Sequence, residues 1–443
     1  MNIGLKIVFF LLLLVGYLLV VKLLARRFQW HPELSRKAVH IGMGCVTLSF
    51  PFVFSQAWAV AVLTGISAIL LFLIKKLPIL QRNLGSALHG VKRDSYGDFY
   101  FPLAVAASFY LAKGDTTLYM IPILILTFAD AMAALIGVFL GETRFKTSVG
   151  EKTVEGSLAF LFTAFLCSFC YLVIFTDFDV YTSLLASTLL GIVIMLVEAF
   201  SWDGIDNLFV PIGSLFLIRE YLHLSHETLT QHIGILLLLL LGLLWWRRWS
   251  TLRNEAILLA SVFGYVVWAL ADWRWLLVAL VTILSYPLLT PAREDIQQRI
   301  HGMSAIISVT ATGTFWLYFF RILEYPTLFF LFSLGFATHL SIILFVRHLR
   351  IRPRLHRGIL AIICATKSGI LIMGLYLVLD WQKDTASLFY TLISFPLIFL
   401  ATWMFSMDQT NIDEAPADKD RWLRQSTIVG LATIVGITPL VLF

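Results

Sequence analysis

Charged residues are scarce in this sequence. Asp, Glu, Lys and Arg account for 14% of 443 residues, whereas they make up about a quarter of an ordinary soluble domain. Hydrophobic residues account for 59%. This composition excludes a typical soluble globular protein. The apolar stretches also lack the strict two-residue alternation of membrane barrel strands, so they are predicted to be helices.

Cysteine and the common nucleotide motifs are also scarce. Among the four cysteines, Cys167 and Cys170 form a CxxC without a second ligand pair, so we interpret them as small buried apolar residues. The Walker pattern, Gly-x4-Gly-Lys-Ser/Thr, is absent. The net charge is +6. In a membrane protein such an excess of basic residues reflects the placement of loops in the cytoplasm, so no nucleic-acid partner is predicted.

Long apolar runs dominate what is present. The plainest are Asn2 to Ala25, Leu118 to Leu140, Ser157 to Thr176, Gln231 to Trp246 and Ser426 to Phe443. A helix needs roughly 18 or more apolar residues to cross a bilayer, and it satisfies its own backbone hydrogen bonds there. The predicted fold is all-α: a multi-pass integral membrane protein with about 15 to 16 transmembrane or re-entrant helices.

Basic residues recur between alternate apolar segments, as at Arg26–Arg27, Lys75–Lys76 and Arg144–Lys152. The positive-inside rule places these clusters in the cytoplasm and the N-terminus outside. Residues 1–225 hold nearly all of the unusual polar residues, whereas residues 226–443 consist of plain hydrophobic helices. We therefore predict a first membrane domain carrying the function and a second helical membrane domain of unassigned role.

Asp130 is an ionisable residue near the middle of an apolar segment. Such residues cost at least about 2.5 kcal/mol on insertion scales and are usually functional. Ala134, Gly137 and Gly141 continue the same helix face, which permits close approach of a ligand or another helix. The alternative is a packing seam in which the carboxylate pairs with a nearby base.

The octet GEKTVEGS, Gly150 to Ser157, joins two apolar segments. Gly150 and Gly156 would leave room for a phosphate, while Lys152 supplies a charge and Thr153 a hydroxyl. A helix is predicted to begin at or near Ser157, and its N-terminus would suit an anion.

Two further polar groups precede and follow these segments. Arg36, Lys37 and His40 begin a membrane segment, where they could either snorkel to the interface or hold a phosphate. Four oxygen-bearing residues, Glu198, Asp203, Asp206 and Asn207, lie within ten positions and favour Mg²⁺. Pro211 follows within apolar sequence, which predicts a broken or re-entrant helix.

The motifs RKAVHIG, YGDFYFPLA, DAMAALIGVFLG, GEKTVEGSLAF and EAFSWDGIDNLFVP, in this order over about residues 34–218, resemble the polyprenol kinase family. This family includes dolichol and phytol kinases and is related in fold to the CDP-diacylglycerol synthases. The resemblance implies a membrane enzyme that uses CTP and Mg²⁺ to phosphorylate an isoprenoid alcohol. It also implies nucleotide and metal roles for Asp130, Lys152, Glu155, Asp206 and Asn207.

We therefore expect Asp130 and Asp206 to hold Mg²⁺ and Lys152 to neutralise charge on the nucleotide. Either Asp203 or Glu198 would accept the alcohol proton. The expected nucleotide-binding residues are Arg36, Lys37, His40, Gly137, Gly141, Gly150, Lys152, Thr153, Glu155, Gly156 and Asn207.

Two other functions fit parts of the sequence. A cytidylyltransferase would make a CDP-lipid from a lipid phosphate, but SWDGIDNLFVPIG contains no Arg or His, unlike the longer signature of the synthases. A membrane transporter would also contain many helices and a mid-membrane acid. In the second half, Lys367 is the one intramembrane cation and is interpreted as paired or snorkelling rather than ligand-binding.

Overall fold

A computed structural model describes residues 2–77, 97–147, 150–201, 204–289, 301–351, 354–380, 385–408 and 419–438. Within these ranges, ten helices are long and apolar enough to cross a membrane, and three shorter helices are also apolar. The prediction of an all-α polytopic membrane protein is confirmed.

The chain divides into two compact units, Met1–Gly234 and Ile235–Phe443, and the division falls inside one helix. The helices of the first unit are α1 (Ile3–Arg27), α2 (Pro32–Thr47), α3 (Phe50–Val53), α4 (Ala57–Lys76), α5 (Gly97–Ala112), α6 (Thr116–Leu124), α7 (Asp130–Phe139), α8 (Val154–Phe175), α9 (Val180–Phe200) and α10 (Asp206–Tyr221). The dividing helix is α11 (His226–Trp246).

The second unit continues with α12 (Asn254–Leu270), α13 (Trp273–Leu289), α14 (Met303–Leu323), α15 (Leu328–Ile351), α16 (Arg357–Ser368), α17 (Gly374–Leu379), α18 (Thr385–Asp408) and α19 (Lys419–Val435). Helix α15 is the centre of this unit, since almost all of its apolar window is buried and it packs against α13, α14, α16, α18 and α19. A helix that is surrounded by other helices is hydrophobic on all of its faces, as α15 is.

The span that carries Asp130 is continuous from Thr116 to Phe139 but changes its winding. A π-helical turn, Ile125–Ala129, separates α6 from α7, and Asp130 is the first residue after it. A π-turn inserts one residue into the hydrogen-bond ladder, and such turns are frequent at functional sites. The span is therefore irregular directly before its single buried carboxylate.

The octet at residues 150–157 is not simply a loop. Gly150–Thr153 form β2, which pairs antiparallel with β1 (Arg144–Thr147), and α8 begins at Val154, three residues before Ser157. Thr153 is the N-cap of α8, and its hydroxyl accepts a hydrogen bond from the Gly156 backbone N–H at 3.2 Å. This capping bond explains the early start of the helix.

Of the two alternatives expected at Pro211, the broken helix is wrong, whereas the re-entrant helix stays a prediction. Helix α10 runs unbroken from Asp206 to Tyr221 with Pro211 inside it. Pro211 is buried against neighbouring helices, and proline is tolerated in membrane helices where packing compensates for the lost backbone bond.

Candidate functional site

The Asp130 carboxylate is paired with a lysine distant in sequence. Lys37 Nζ on α2 lies 2.5 Å from Asp130 Oδ2, and the two side chains are 2% and 14% exposed. A buried charge is tolerated only when it is paired and hydrogen-bonded. The pair therefore places two of the predicted residues in one buried ion pair.

His40 joins this pair from the next turn of α2. Its Nε2 lies 3.3 Å from Asp130 Oδ2 and 2.8 Å from the carbonyl oxygen of Leu126, which belongs to the π-turn. Because a carbonyl can only accept, the 2.8 Å contact favours the tautomer with the proton on Nε2. The irregular turn thus supplies the acceptor that orients the imidazole.

Arg36 points to a different partner. Its guanidinium donates two hydrogen bonds to Glu33, at 2.5 Å and 3.2 Å. It also contributes to the electrostatic field at Asp130. Of the three basic residues predicted here, Lys37 and His40 contact Asp130 directly, whereas Arg36 is held by Glu33.

Lys152 forms the second buried ion pair. Its ammonium lies 2.7 Å from Glu198 Oε1 and also donates to the Glu198 backbone carbonyl, with the two side chains 15% and 11% exposed. The short strand β2 and the end of α9 bring the two residues together. Glu198 thus anchors Lys152, and its role as the acceptor of the alcohol proton stays a prediction.

Asp206 and Asn207, on the first turn of α10, present oxygens without partners. Asp206 Oδ1 and Asn207 Oδ1 are both buried and have no hydrogen-bond partner. An unsatisfied buried oxygen costs free energy, so each one in a native structure needs an explanation. Carboxylate and amide oxygens are hard ligands of the type that Mg²⁺ prefers.

These groups belong to one electrostatic cluster. Asp206 lies within range of the charges of Asp130, Lys152 and Lys37, and Glu198 lies within range of Asp206 and Asp130. Three carboxylates and two ammonium groups, apart from His40, therefore lie within electrostatic range of one another. We call these six residues the polar cluster: Lys37, His40, Asp130, Lys152, Glu198 and Asp206. Its excess of carboxylates is compatible with a bound cation.

A protein-only metal cage is not part of this arrangement. Within the described residues, no group of three or more His, Cys, Asp or Glu side chains is placed to hold a metal ion. Mg²⁺ commonly binds through one or two carboxylates and completes its shell with water and substrate phosphates. The oxygens of Asp130, Asp206 and Asn207 fit that second mode.

Glu155 fastens the hairpin rather than facing the cluster. Its two carboxylate oxygens accept hydrogen bonds from the backbone N–H of Thr143, at 3.0 Å and 3.2 Å. Gly150 has a φ of 153°, a conformation that side-chain-bearing residues rarely adopt. Both residues therefore have conformational roles in the turn that carries Lys152.

The glycines on α7 and α8 allow two helices to pack closely. A Cβ at Gly156 would lie 2.8 Å from the Ala133 backbone oxygen, and one at Gly137 would lie 2.9 Å from Thr153 Oγ1. A Cβ at Gly141 would lie 2.5 Å from Thr153 Cγ2. Helix packing accounts for Gly137 and Gly156, whereas Gly141, two residues beyond α7, is confined by the Gly137 carbonyl and the Thr153 side chain.

The close contact at Gly156 leads to a prediction about stability. Gly156→Ala should lower the unfolding temperature in detergent, because overpacking costs about 1–3 kcal/mol. Gly65→Ala is the matched control, since nothing lies within 4 Å of its added Cβ; it should be neutral or stabilising. Equal unfolding temperatures for the two variants would contradict the close α7–α8 contact.

An apolar cleft adjoins the polar cluster. Side chains from α1, α2, α4 and α5 line it, and α2 contributes Met43 and Thr47, one and two turns beyond His40. Phe101 lines the cleft and also contacts the His40 ring edge-on at 5.0 Å between centroids. The cleft therefore begins beside His40.

The few hydroxyl groups in the cleft are satisfied by their own helices. Thr47 donates to Gly44, Thr64 to Val60 and Ser67 to Leu63, all to backbone carbonyls at 2.8–2.9 Å. These side chains present methyl or methylene groups to the cleft. The cleft thus suits an unfunctionalised hydrocarbon chain.

Two further sequence-predicted residues are not among those that form this site in the described part of the first unit. Asp203 lies outside the described residues. Lys367, in the second unit, lies near the end of α16 with an exposed side chain. Phe101, which belongs to the motif YGDFYFPLA, is the residue that connects the cleft with His40.

The sequence alone does not identify the partners in the two ion pairs. Lys37 and Asp130 are 93 positions apart, and Lys152 and Glu198 are 46 apart. Each residue was identified separately as a candidate. A charge inside the membrane needs an opposite charge nearby. Because the candidates include both lysines and carboxylates, the sequence does indicate that such pairs should form.

Comparisons with known proteins agree with the sequence motifs. The chain is 32% identical over 201 residues to a phytol kinase from Synechocystis sp. (strain ATCC 27184 / PCC 6803 / Kazusa). The match includes 45% of this chain and 84% of that kinase. No model of a protein family matches the chain, and no solved structure matches it. Because the chain matches most of the length of this phytol kinase at 32% identity, it belongs to the same family, the polyprenol kinase family.

Proposed function

We propose that this protein transfers the terminal phosphoryl group of CTP to the hydroxyl of an isoprenoid alcohol at the cytoplasmic surface of the membrane. The observation that carries the proposal is a buried polar cluster beside a purely apolar cleft, joined by the His40–Phe101 contact. The related protein is a phytol kinase, and phytol is an isoprenoid alcohol with a single hydroxyl at one end. Such a substrate has the same polarity pattern as the site.

The alcohol would bind with its chain in the cleft and its hydroxyl beside His40 and Asp130. Burial of the chain supplies binding energy at about 25 cal/mol per Å² of apolar surface. The hydroxyl then lies among fixed charges instead of in lipid. Binding thus carries the reacting oxygen to the cluster.

The nucleotide would enter from the cytoplasm with Mg²⁺. Asp130, Asp206 and Asn207 would hold the ion, which neutralises charge on the nucleotide phosphates. The fit rests on the two unpartnered buried oxygens and on the carboxylate excess of the cluster. CTP as the donor follows from the family resemblance.

Phosphoryl transfer needs positioning and charge stabilisation more than covalent help from the protein. Lys152, fixed by Glu198, would place its ammonium against negative charge that shifts toward the leaving nucleotide. Lys37 would hold Asp130 in its ionised form and in a fixed orientation. We assign catalysis to residues 1–225 and leave the second membrane domain as an additional helical unit.

The products of the nucleotide test this proposal. Purified protein given CTP, Mg²⁺ and phytol should release CDP, and EDTA should abolish the reaction until excess Mg²⁺ is restored. Release of pyrophosphate from CTP and a lipid phosphate would instead indicate cytidylyl transfer. Nucleotide turnover that is independent of any added lipid would contradict both lipid reactions.

A further inference from the structure

A cluster of aromatic rings packs at one end of the apolar cleft. Phe50, which lines the cleft, packs against Phe10 and Phe54 with ring centroids 5.4 Å and 5.6 Å apart. Phe10 and Phe54 are themselves 5.6 Å apart, so the three rings contact one another pairwise. We call Phe10, Phe50 and Phe54 the aromatic floor.

The floor lies at the opposite end of the cleft from the polar cluster. Helix α2 rises about 1.5 Å per residue, so Thr47 lies about 10 Å along the helix axis from His40. Phe50 begins α3 shortly after this point. Phe50 thus lines the cleft on the side of Thr47 that lies away from His40 along the chain.

The floor is part of a packed core. Phe50 is 1% exposed and Leu63, which lines the cleft beside it in the same core cluster, is also 1% exposed. Rings in mutual edge contact cannot move aside singly without opening voids among the others. The floor is therefore a stiff barrier rather than a flexible side chain.

We propose that Phe50, supported by Phe10 and Phe54 and flanked by Leu63, sets the maximum chain length of the alcohol substrate. This inference rests on the proposed function, because it assumes that the substrate hydroxyl is held at the polar cluster. With one end fixed there, each added isoprene unit extends the chain toward the floor. An alcohol too long for the cleft meets Phe50, whereas a shorter one leaves apolar surface uncovered and binds more weakly.

Two enlarging variants test the floor. Phe50→Leu and Leu63→Ala should each raise kcat/KM for a longer polyprenol relative to farnesol by about tenfold, the scale on which hydrophobic pockets discriminate added groups. Phe160→Leu on α8 is the matched control, since Phe160 is equally buried but does not line the cleft. Its ratio of long to short substrates should equal that of the wild type.

A narrowing variant gives the opposite expectation. Val15 on α1 lines the cleft between Leu11, which packs at the floor, and Leu18, which packs with Ile74 away from it. Val15→Phe should reduce kcat/KM for geranylgeraniol and phytol about tenfold or more and preserve most of the activity with farnesol. This variant adds side-chain volume at a half-buried position, so it keeps the inference testable if the core variants unfold.

The outcomes separate this inference from the proposed function. A wild-type protein that phosphorylates none of the alcohols contradicts the proposed function and, with it, the role of the floor. A wild-type protein that is active, with an unchanged chain-length profile in Phe50→Leu, Leu63→Ala and Val15→Phe, overturns only the floor. Opposite shifts from the enlarging and narrowing variants, with no shift in Phe160→Leu, support the inference.

Discussion

Asp130→Asn is expected to reduce turnover at least about 100-fold, comparable with removal of an electrostatic stabiliser in other enzymes. The substitution keeps the shape of the side chain but removes the charge that we assign to Mg²⁺ and to orientation of the reacting groups. The rate at which the purified, folded protein forms isoprenyl monophosphate measures the effect. Asp115→Asn, at the N-cap of α6 at the start of the same span, is the matched control and should remain active.

The same substitution also tests whether Asp130 serves packing alone. It leaves Lys37 buried without its counter-charge, and breaking a buried pair in this way is commonly destabilising by about 3–5 kcal/mol. A double variant, Lys37→Gln with Asp130→Asn, removes both charges and should recover most of the unfolding temperature. If the double variant also recovers activity, the pair is structural and our assignment is wrong.

Lys152→Ala should lower kcat/KM for CTP about 100-fold, since it removes the ammonium proposed to face the nucleotide phosphates. Lys152→Arg should restore this value poorly, because a planar guanidinium cannot replace a compact ammonium that donates to both the backbone carbonyl and one carboxylate oxygen of Glu198. Initial rates over a range of CTP concentrations measure the effect. Lys113→Ala, an exposed lysine in the loop before α6, is the control.

The interpretation of Lys152 depends on its effect being specific to the nucleotide. Loss of the lysine leaves Glu198 buried without its partner, so the unfolding temperature of each variant must be measured beside the kinetics. A folded Lys152→Ala protein with the wild-type dependence on CTP concentration would exclude a phosphate role for this residue.

Much of the fold could be predicted because each membrane helix is encoded locally. The apolar run from Asn2 to Ala25 gives α1, and the run from Leu118 to Leu140 gives the span of α6 and α7, within a few residues. The break predicted at Pro211 does not occur, because α10 packs on other helices, including α5 and α6, whose contacts cannot be read from the local sequence. The small hairpin was also missed, since its strands have only four residues each.

The candidate site could be predicted as a set of residues but not as an arrangement. A charge in an apolar segment identifies Asp130 or Lys37 individually, but only the folded chain shows that they pair across 93 positions. Glycine spacing likewise could not distinguish phosphate binding from helix packing. The structure brings backbone and side-chain atoms to within 3 Å of the Cβ positions at Gly137, Gly141 and Gly156, which favours packing.

Transfer of the terminal phosphate of CTP to an isoprenoid alcohol tests the central claim most directly. Purified full-length protein would be incubated with CTP labelled at the γ-phosphate, Mg²⁺ and phytol, beside the Lys37→Gln/Asp130→Asn variant. Our account predicts labelled phytyl monophosphate from the wild type and none above background from the folded variant. Two results would contradict it: the wild-type protein labels none of phytol, farnesol, geranylgeraniol and a polyprenol, or the variant labels phytol as well as the wild type does.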